Sequence, residues 1–236
     1  GYGTCDSSTH TCACNLGYEG DACEFLNYDS LEAFICGELA SESGLVTLHE
    51  GTSLTCTAEG DISVSDLCNI ATLDLSTSGL TSIAGLSSMC GLEELHLDDL
   101  EFASEATSSV YLSELSDLPL EILPIDNTNI VLNATVLANI PSDTLNVLSA
   151  ENVSIPAGTD FSAFEVLEKL DVSNNDMFTI SSSAVFPDSL TSLDISGCTS
   201  IASLSSLPTD LTSLSLAGLT LTDSSISLLA TYTLLE

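Results

Sequence analysis

Two stretches of this chain repeat one another. Leu167-Glu-Lys-Leu170-Asp-Val172-Ser-Asn-Asn175 is followed one period later by Leu190-Thr-Ser-Leu193-Asp-Ile195-Ser-Gly-Cys198. Both fit L-x-x-L-x-L-x-x-[N/C]: the apolar positions alternate along a short inward-facing strand, and the last position gives a small polar group to the turn. The frame opens at Ile70, Leu92, Leu120, Leu145, Leu167, Leu190 and Leu211, in steps of 22, 28, 25, 22, 23 and 21 residues. A unit this short cannot bury its own apolar face, so cohesion must come from stacking neighbours around one continuous core. The long step holds Glu101 to Asp117, expected as an enlarged loop on the convex side. Thr222-Asp-Ser-Ser-Ile-Ser-Leu-Leu is expected as a helical return, with Thr222 or Asp223 as its cap.

The frame resembles that of the leucine-rich repeat proteins, over most of the chain. The resemblance implies an α/β repeat solenoid with a parallel β-sheet on the concave face, few short helices, and about seven repeats over 70–236. Residues 25–69 are then the cap over the first apolar face. There Asp29-Ser-Leu31-Glu-Ala-Phe34-Ile35-Cys36 has the spacing of a short amphipathic helix, and Leu45-Val-Thr-Leu48 offers a degenerate first strand. Cysteine-bearing caps are common in secreted members of the family, which implies that Cys36 and Cys56 staple this one.

Residues 1–24 end in Cys12-Ala-Cys14-Asn-Leu-Gly17-Tyr18-Glu-Gly20-Asp-Ala-Cys23-Glu24. This resembles the closing half of an EGF-like module, a small disulfide-rich unit, although only four of that family's six cysteines are present. The resemblance implies a Cys14–Cys23 pair and places the family's partners of Cys5 and Cys12 before Gly1. Two readings stand: an abbreviated module with Cys5 bridged to Cys12 across a hairpin, or a piece of a longer protein. The first is favoured, because stranded thiols react in an oxidising compartment.

Repeat phase places further cysteines. Cys68 and Cys90 each lie two residues before a frame opening, so they are equivalent on adjacent coils. Coils spaced by about 4.7–4.9 Å fall within the disulfide Cα range of about 4.4–6.8 Å, which predicts a Cys68–Cys90 bridge. Cys198 occupies the Asn/Cys position of its own repeat and is expected as a free buried thiol, acting as a small apolar residue.

The charge balance narrows the partners. There are 35 acidic residues against one basic one, Lys169, for a formal net charge of −34. Counterion release from phosphates needs cations that this chain lacks, so nucleic acid and anionic membranes are excluded. Nine cysteines, with sequons at Asn133-Ala-Thr135 and Asn152-Val-Ser154, indicate a secreted or cell-surface glycoprotein. At Gly1 there is no charged and apolar leader, so a signal peptide is expected to have been removed or to lie upstream. No run of about 18 apolar residues is present, so no direct membrane insertion is expected of this segment.

The outward strand positions are rich in carboxylates, among them Glu93, Glu94, Asp98, Asp99, Glu121, Asp126, Glu151 and Glu168. Asp171 and Asp194 are equivalent on consecutive coils, where stacked like charges raise one another's pKa or recruit a cation. Calcium at this pair is weighed against a solvated acidic face, which is favoured because no D-x-D-x-D-G loop occurs. No other cofactor is expected. His10, His49 and His96 are scattered, with no nucleophile or metal spacing around them, and no catalytic residues are assigned.

After Leu211 one more period reaches about residue 233 without a cysteine-bearing cap. Leu219, Leu221, Leu228, Leu234 and Leu235 are therefore expected at an interface, and the alternative is an array continuing beyond Glu236. The expected function is a non-enzymatic secreted glycoprotein working through self-association or other extracellular proteins. The favoured form is a structural subunit of an extracellular assembly or filament, packed head to tail. The alternative is the ligand-binding ectodomain of a cell-surface receptor or adhesin. A third reading is a cation-loaded acidic protein of a mineral or mucilage.

Overall fold

The computed structural model describes residues 3–6, 11–14, 18–19, 25–26, 31–57, 62–76, 78–80, 83–102, 111–180, 186–201, 203–204 and 206–235, the first four stretches as backbone alone. In the amino-terminal region β1 (Gly3–Asp6) pairs antiparallel with β2 (Thr11–Cys14), and β3 (Tyr18–Glu19) with β4 (Phe25–Leu26). The β1–β2 register sets Cys5 opposite Cys12. Cys23, and with it the Cys14–Cys23 pairing, lies outside the described residues.

The helix expected up to Cys36 is α1 (Leu31–Ser41), which runs on to Ser41 and buries Leu31, Phe34 and Ile35 in the core. β5 (Val46–Leu48) follows, then α2 (Val64–Leu67), whose amino end is capped by Ser63 accepting the Asp66 N–H at 3.2 Å. Cys36 is bonded to Cys56, and Cys68 to Cys90 across a Cα separation of 4.7 Å.

Each frame then yields one strand of three to five residues: β6 (Ile70–Asp74), β7 (Glu94–His96), β8 (Ile122–Pro124), β9 (Val147–Ser149), β10 (Lys169–Asp171), β11 (Ser192–Asp194) and β12 (Ser213–Ser215). These seven are parallel and stand side by side in chain order. β5 joins the same sheet but runs against β6, with Val46 opposite Leu73. Leu45–Leu48, expected as a degenerate first strand, does open the sheet, but in the opposite sense to the repeats. Alternating apolar residues suit either direction.

Inward positions form buried rows. Leu73, Leu95, Leu123, Leu148, Leu170 and Leu193 share one row, and Leu75, Leu97, Ile125, Ala150, Val172 and Ile195 the next. The return segments hold α3 (Ala134–Leu137), α4 (Asp223–Leu229), two 3-10 turns and irregular chain. Thr222 is the cap of α4, accepting the Ser225 N–H at 3.3 Å. Three phenylalanines of the returns meet edge to face, Phe161 with Phe178 at 6.2 Å between ring centres and Phe178 with Phe186 at 6.5 Å.

The enlarged coil is tied to its predecessor. From its 3-10 turn, Ser113–Leu115, Glu114 reaches back so that Oε2 accepts the Gly85 N–H at 2.8 Å and the Ser87 N–H at 3.3 Å. A carboxylate there satisfies amides at the start of the neighbouring 3-10 turn, which have no partner within that turn.

Candidate functional site

The concave sheet displays two outward columns. One runs Thr72, Glu94, Ile122, Val147, Lys169, Ser192, Ser213, and the other Asp74, His96, Pro124, Ser149, Asp171, Asp194, Ser215. Their side chains are half-buried or exposed. Ile122, Pro124 and Val147 give the centre an apolar surface, with Glu94 and His96 on one side and Lys169, Asp171 and Asp194 on the other. A shallow depression of about 290 Å³ lies against Val147, Ser149, Lys169, Asp171, Ser192 and Asp194.

Most of the carboxylates here fasten turns. Asp74, Asp171 and Asp194 each accept, through Oδ1, the backbone N–H two residues on, from Ser76 at 2.9 Å, Ser173 at 2.8 Å and Ser196 at 2.8 Å. Asp98 Oδ1 accepts the Asp126 N–H at 2.9 Å from the next coil. Asp126 in turn accepts the Glu151 N–H at 2.6 Å and the Ser149 hydroxyl at 2.8 Å. Asp98 and Asp99 thus belong to the turn after β7 rather than to the strand face. These cross-coil bonds have no signature in spacing, because donor and acceptor lie about one period apart. His96 donates from Nε2 to Glu94 Oε1 at 2.8 Å, with Nδ1 3.7 Å from Asp98 Oδ2.

Asp171 and Asp194 stand opposite each other in register. Among the described residues, no group of three or more His, Cys, Asp or Glu side chains converges to hold a metal. A calcium ion takes about six to eight oxygens, and this pair supplies two carboxylates that each already serve a turn. Burial pushes the Asp171 carboxyl above its ordinary range, with repulsion from Asp194 and Asp126 adding to it and the Ser173 bonds opposing it. Burial likewise raises Asp98, as do the charges of Asp126 and Asp74.

A carboxyl raised in the fold binds more protons folded than unfolded, so the slope of stability with pH is negative. The penalty is absent below the unfolded value, near 4, and develops as pH rises through the folded value. Thermal midpoints should therefore rise as pH falls from 7 towards the ordinary carboxylate value near 4, and at pH 7 should rise with salt as repulsion is screened. Asp171→Asn keeps an acceptor for the Ser173 N–H and should flatten the pH profile. A profile identical to the parent's would refute the assignment.

Along the turns after β7 to β12 runs a left-handed column: Asp99, Asn127, Asn152 and Asn174 have φ between 51° and 60°, then Gly197 and Gly218 follow at 72° and 78°. A Cβ on Gly197 would force the Asn174 side chain to shift, and its φ of 72° is one that glycine adopts without strain. Asn152 donates from Nδ2 to Asn127 Oδ1 at 3.0 Å, and Asn174 from Nδ2 to Glu151 Oε1 at 2.8 Å. The two sequons therefore differ. The Asn152 amide nitrogen is tied to its neighbour, whereas exposed Asn133 caps α3 through Oδ1, accepting from Thr135 N at 2.9 Å and Val136 N at 3.1 Å.

Beneath the turns, buried Asn175 donates from Nδ2 to the carbonyls of Ala150, Val172 and Ser173. Cys198 is a free, buried thiol whose Sγ donates to Val172 O at 3.0 Å, and burial raises its pKa, which suppresses the reactive thiolate. At the last coil Leu219, Leu221, Leu228 and Leu235 are half-buried against the core, while Leu234 is 50% and Ile226 55% exposed.

Stacked coils, one parallel strand per frame and a turn ladder make a solenoid of parallel strands, the architecture expected from the repeat frame. No protein-family model and no curated protein sequence matches the chain. Among solved structures, the chain is similar to an internalin (inlF) from Listeria monocytogenes str. 4b F2365, at 17% identity over 73% of this chain and 62% of that one, with TM-score 0.46. It is also similar to TLR13 in a TLR13–ssRNA13 complex, at 25% identity over 63% of this chain and 21% of that one, with TM-score 0.49. The match thus spans less than two thirds of either neighbour. No helix among the described residues is long and apolar enough to cross a membrane.

Proposed function

We propose that the protein is a non-enzymatic, secreted or cell-surface glycoprotein that binds another extracellular protein on its concave sheet. One observation carries this reading: half-buried Ile122, Pro124 and Val147 form an apolar centre with carboxylates on either side. That pattern suits a partner with an apolar anchor and a basic rim, the arrangement in which a few central contacts dominate affinity and outer charges set the encounter rate. The net charge of −34 steers such a partner in.

A second reading is a subunit packed head to tail in an extracellular assembly, in which exposed Leu234 and Ile226 would lie in the contact. An amphipathic peptide with lysines on one face and leucines on the other, titrated by calorimetry, separates the two. Val147→Glu should weaken its binding about tenfold, or about 1.4 kcal/mol, while Asp210→Asn, away from the sheet centre, should not. Equal loss in both variants refutes the concave site. A sedimenting mass that rises with concentration in 1 M salt and falls back in Leu234→Asp establishes the second reading.

A further inference from the structure

On the return side of the array, a groove of about 410 Å³ opens between α3 and residues 156–164 of the next coil. Leu137, Ala138, Pro156 and Phe164 give it an apolar floor and wall, and Ser142 and Asp160 stand in its lining as polar groups. Asp160 Oδ1 accepts the Ser162 N–H at 2.9 Å, which leaves its second oxygen for another donor. Asn133, the first residue of a sequon, also lines the groove.

The cap fixes that asparagine. Because Oδ1 is held by the Thr135 and Val136 N–H groups, the amide plane is set and Nδ2 is turned away from the helix. Among the described residues no hydrogen bond engages Nδ2. The nitrogen that would carry a sugar is therefore free and held in one orientation, on a residue that lines the groove.

We propose that the first N-acetylglucosamine of a glycan on Asn133 folds back into this groove, with its acetyl methyl on Leu137 and Ala138 and its hydroxyls towards Ser142 and Asp160. The volume lies within the range of about 300–1,000 Å³ usual for small-ligand clefts. Covalent attachment supplies a high effective concentration, so weak contacts suffice. The sugar closes the seam between two coils on the face opposite the concave sheet. This inference rests on the glycoprotein part of the proposed function, and its test separates the two.

The full chain is produced in a eukaryotic secretory host. Glycopeptide mass spectrometry reads occupancy at Asn133, and an unmodified Asn133 overturns both the glycoprotein reading at this site and the docking. On the occupied protein, docking is read by nuclear Overhauser contacts between the first sugar's acetyl methyl and the Ala138 and Leu137 methyls. Docking also slows enzymatic release of the glycan under native conditions: a sugar undocked one tenth of the time is released about tenfold more slowly. Ala138→Leu fills the groove without touching sequon or cap, and should remove the contacts and restore fast release. Asn133→Asp keeps the capping oxygen and removes the glycan, so it isolates the glycan's effect on the thermal midpoint. An occupied Asn133 with no such contacts and with the Ala138→Leu release rate already in the parent overturns the docking alone.

Discussion

Replacing Phe178 with alanine is expected to destabilise the fold by about 3–5 kcal/mol, as large-to-small changes at fully buried aromatic sites do. The ring is completely buried and touches a phenylalanine on either side, Phe161 and Phe186. The cavity would open within the seam between coils, where a stacked repeat has only its two neighbours for support. Urea denaturation followed by circular dichroism should show a lower midpoint, and a broadened or double transition as the last coils uncouple from the rest. Met177→Ala serves as the control. Its side chain is 68% exposed, and the change should stay within about 0.5 kcal/mol. A Phe178→Ala midpoint equal to that of Met177→Ala would refute the seam assignment.

Asn175→Leu should cost about 1–3 kcal/mol, although leucine fits the apolar surroundings and nearly matches the volume. One amide nitrogen serves three buried carbonyls, on Ala150, Val172 and Ser173, at 2.8–3.0 Å. Val172 O keeps the Cys198 thiol and Ser173 O keeps the Asn152 N–H, so the change leaves the Ala150 carbonyl without a donor, and an orphaned interior carbonyl costs about 1–3 kcal/mol. Asn175→Asp replaces the donor by a buried anion facing those same carbonyls. It should be the worse variant at pH 7 and recover part of its stability as acidification protonates the carboxyl. Chemical denaturation at pH 7 and pH 5 reads both effects. A leucine variant as stable as the parent would show that the Ala150 carbonyl finds another partner.

Asn175 was legible because its frame spaces it three residues after the last inward apolar position. The strands were legible for the same reason: an inward row of leucines in period two is a local property of the chain. The phenylalanine seam was not, since Phe161, Phe178 and Phe186 lie in returns of unequal length where no period fixes which ring meets which. The direction of β5 was hidden as well. Val46-Thr47-Leu48 alternates equally well in either sense. The acidic residues showed their sign but not their work, because Asp98 and Asp126 serve amides a whole coil away. The two sequons looked alike in sequence and differ in the fold, one amide nitrogen tied to Asn127 and the other free beside a groove.

The antiparallel start of the sheet gives the molecule a mechanical direction. Because strand order follows chain order, tension applied at Leu235 loads the coils one after another from β12 inward, as in opening a zipper, rather than shearing them together. Each coil of 21 to 28 residues would release about 70–100 Å of contour length as it comes away. The peeling would halt at the covalent link between Cys90 and Cys68, leaving the stapled cap folded behind it. Tethered by its amino-terminal side, such a chain yields stepwise from one end while its anchor holds.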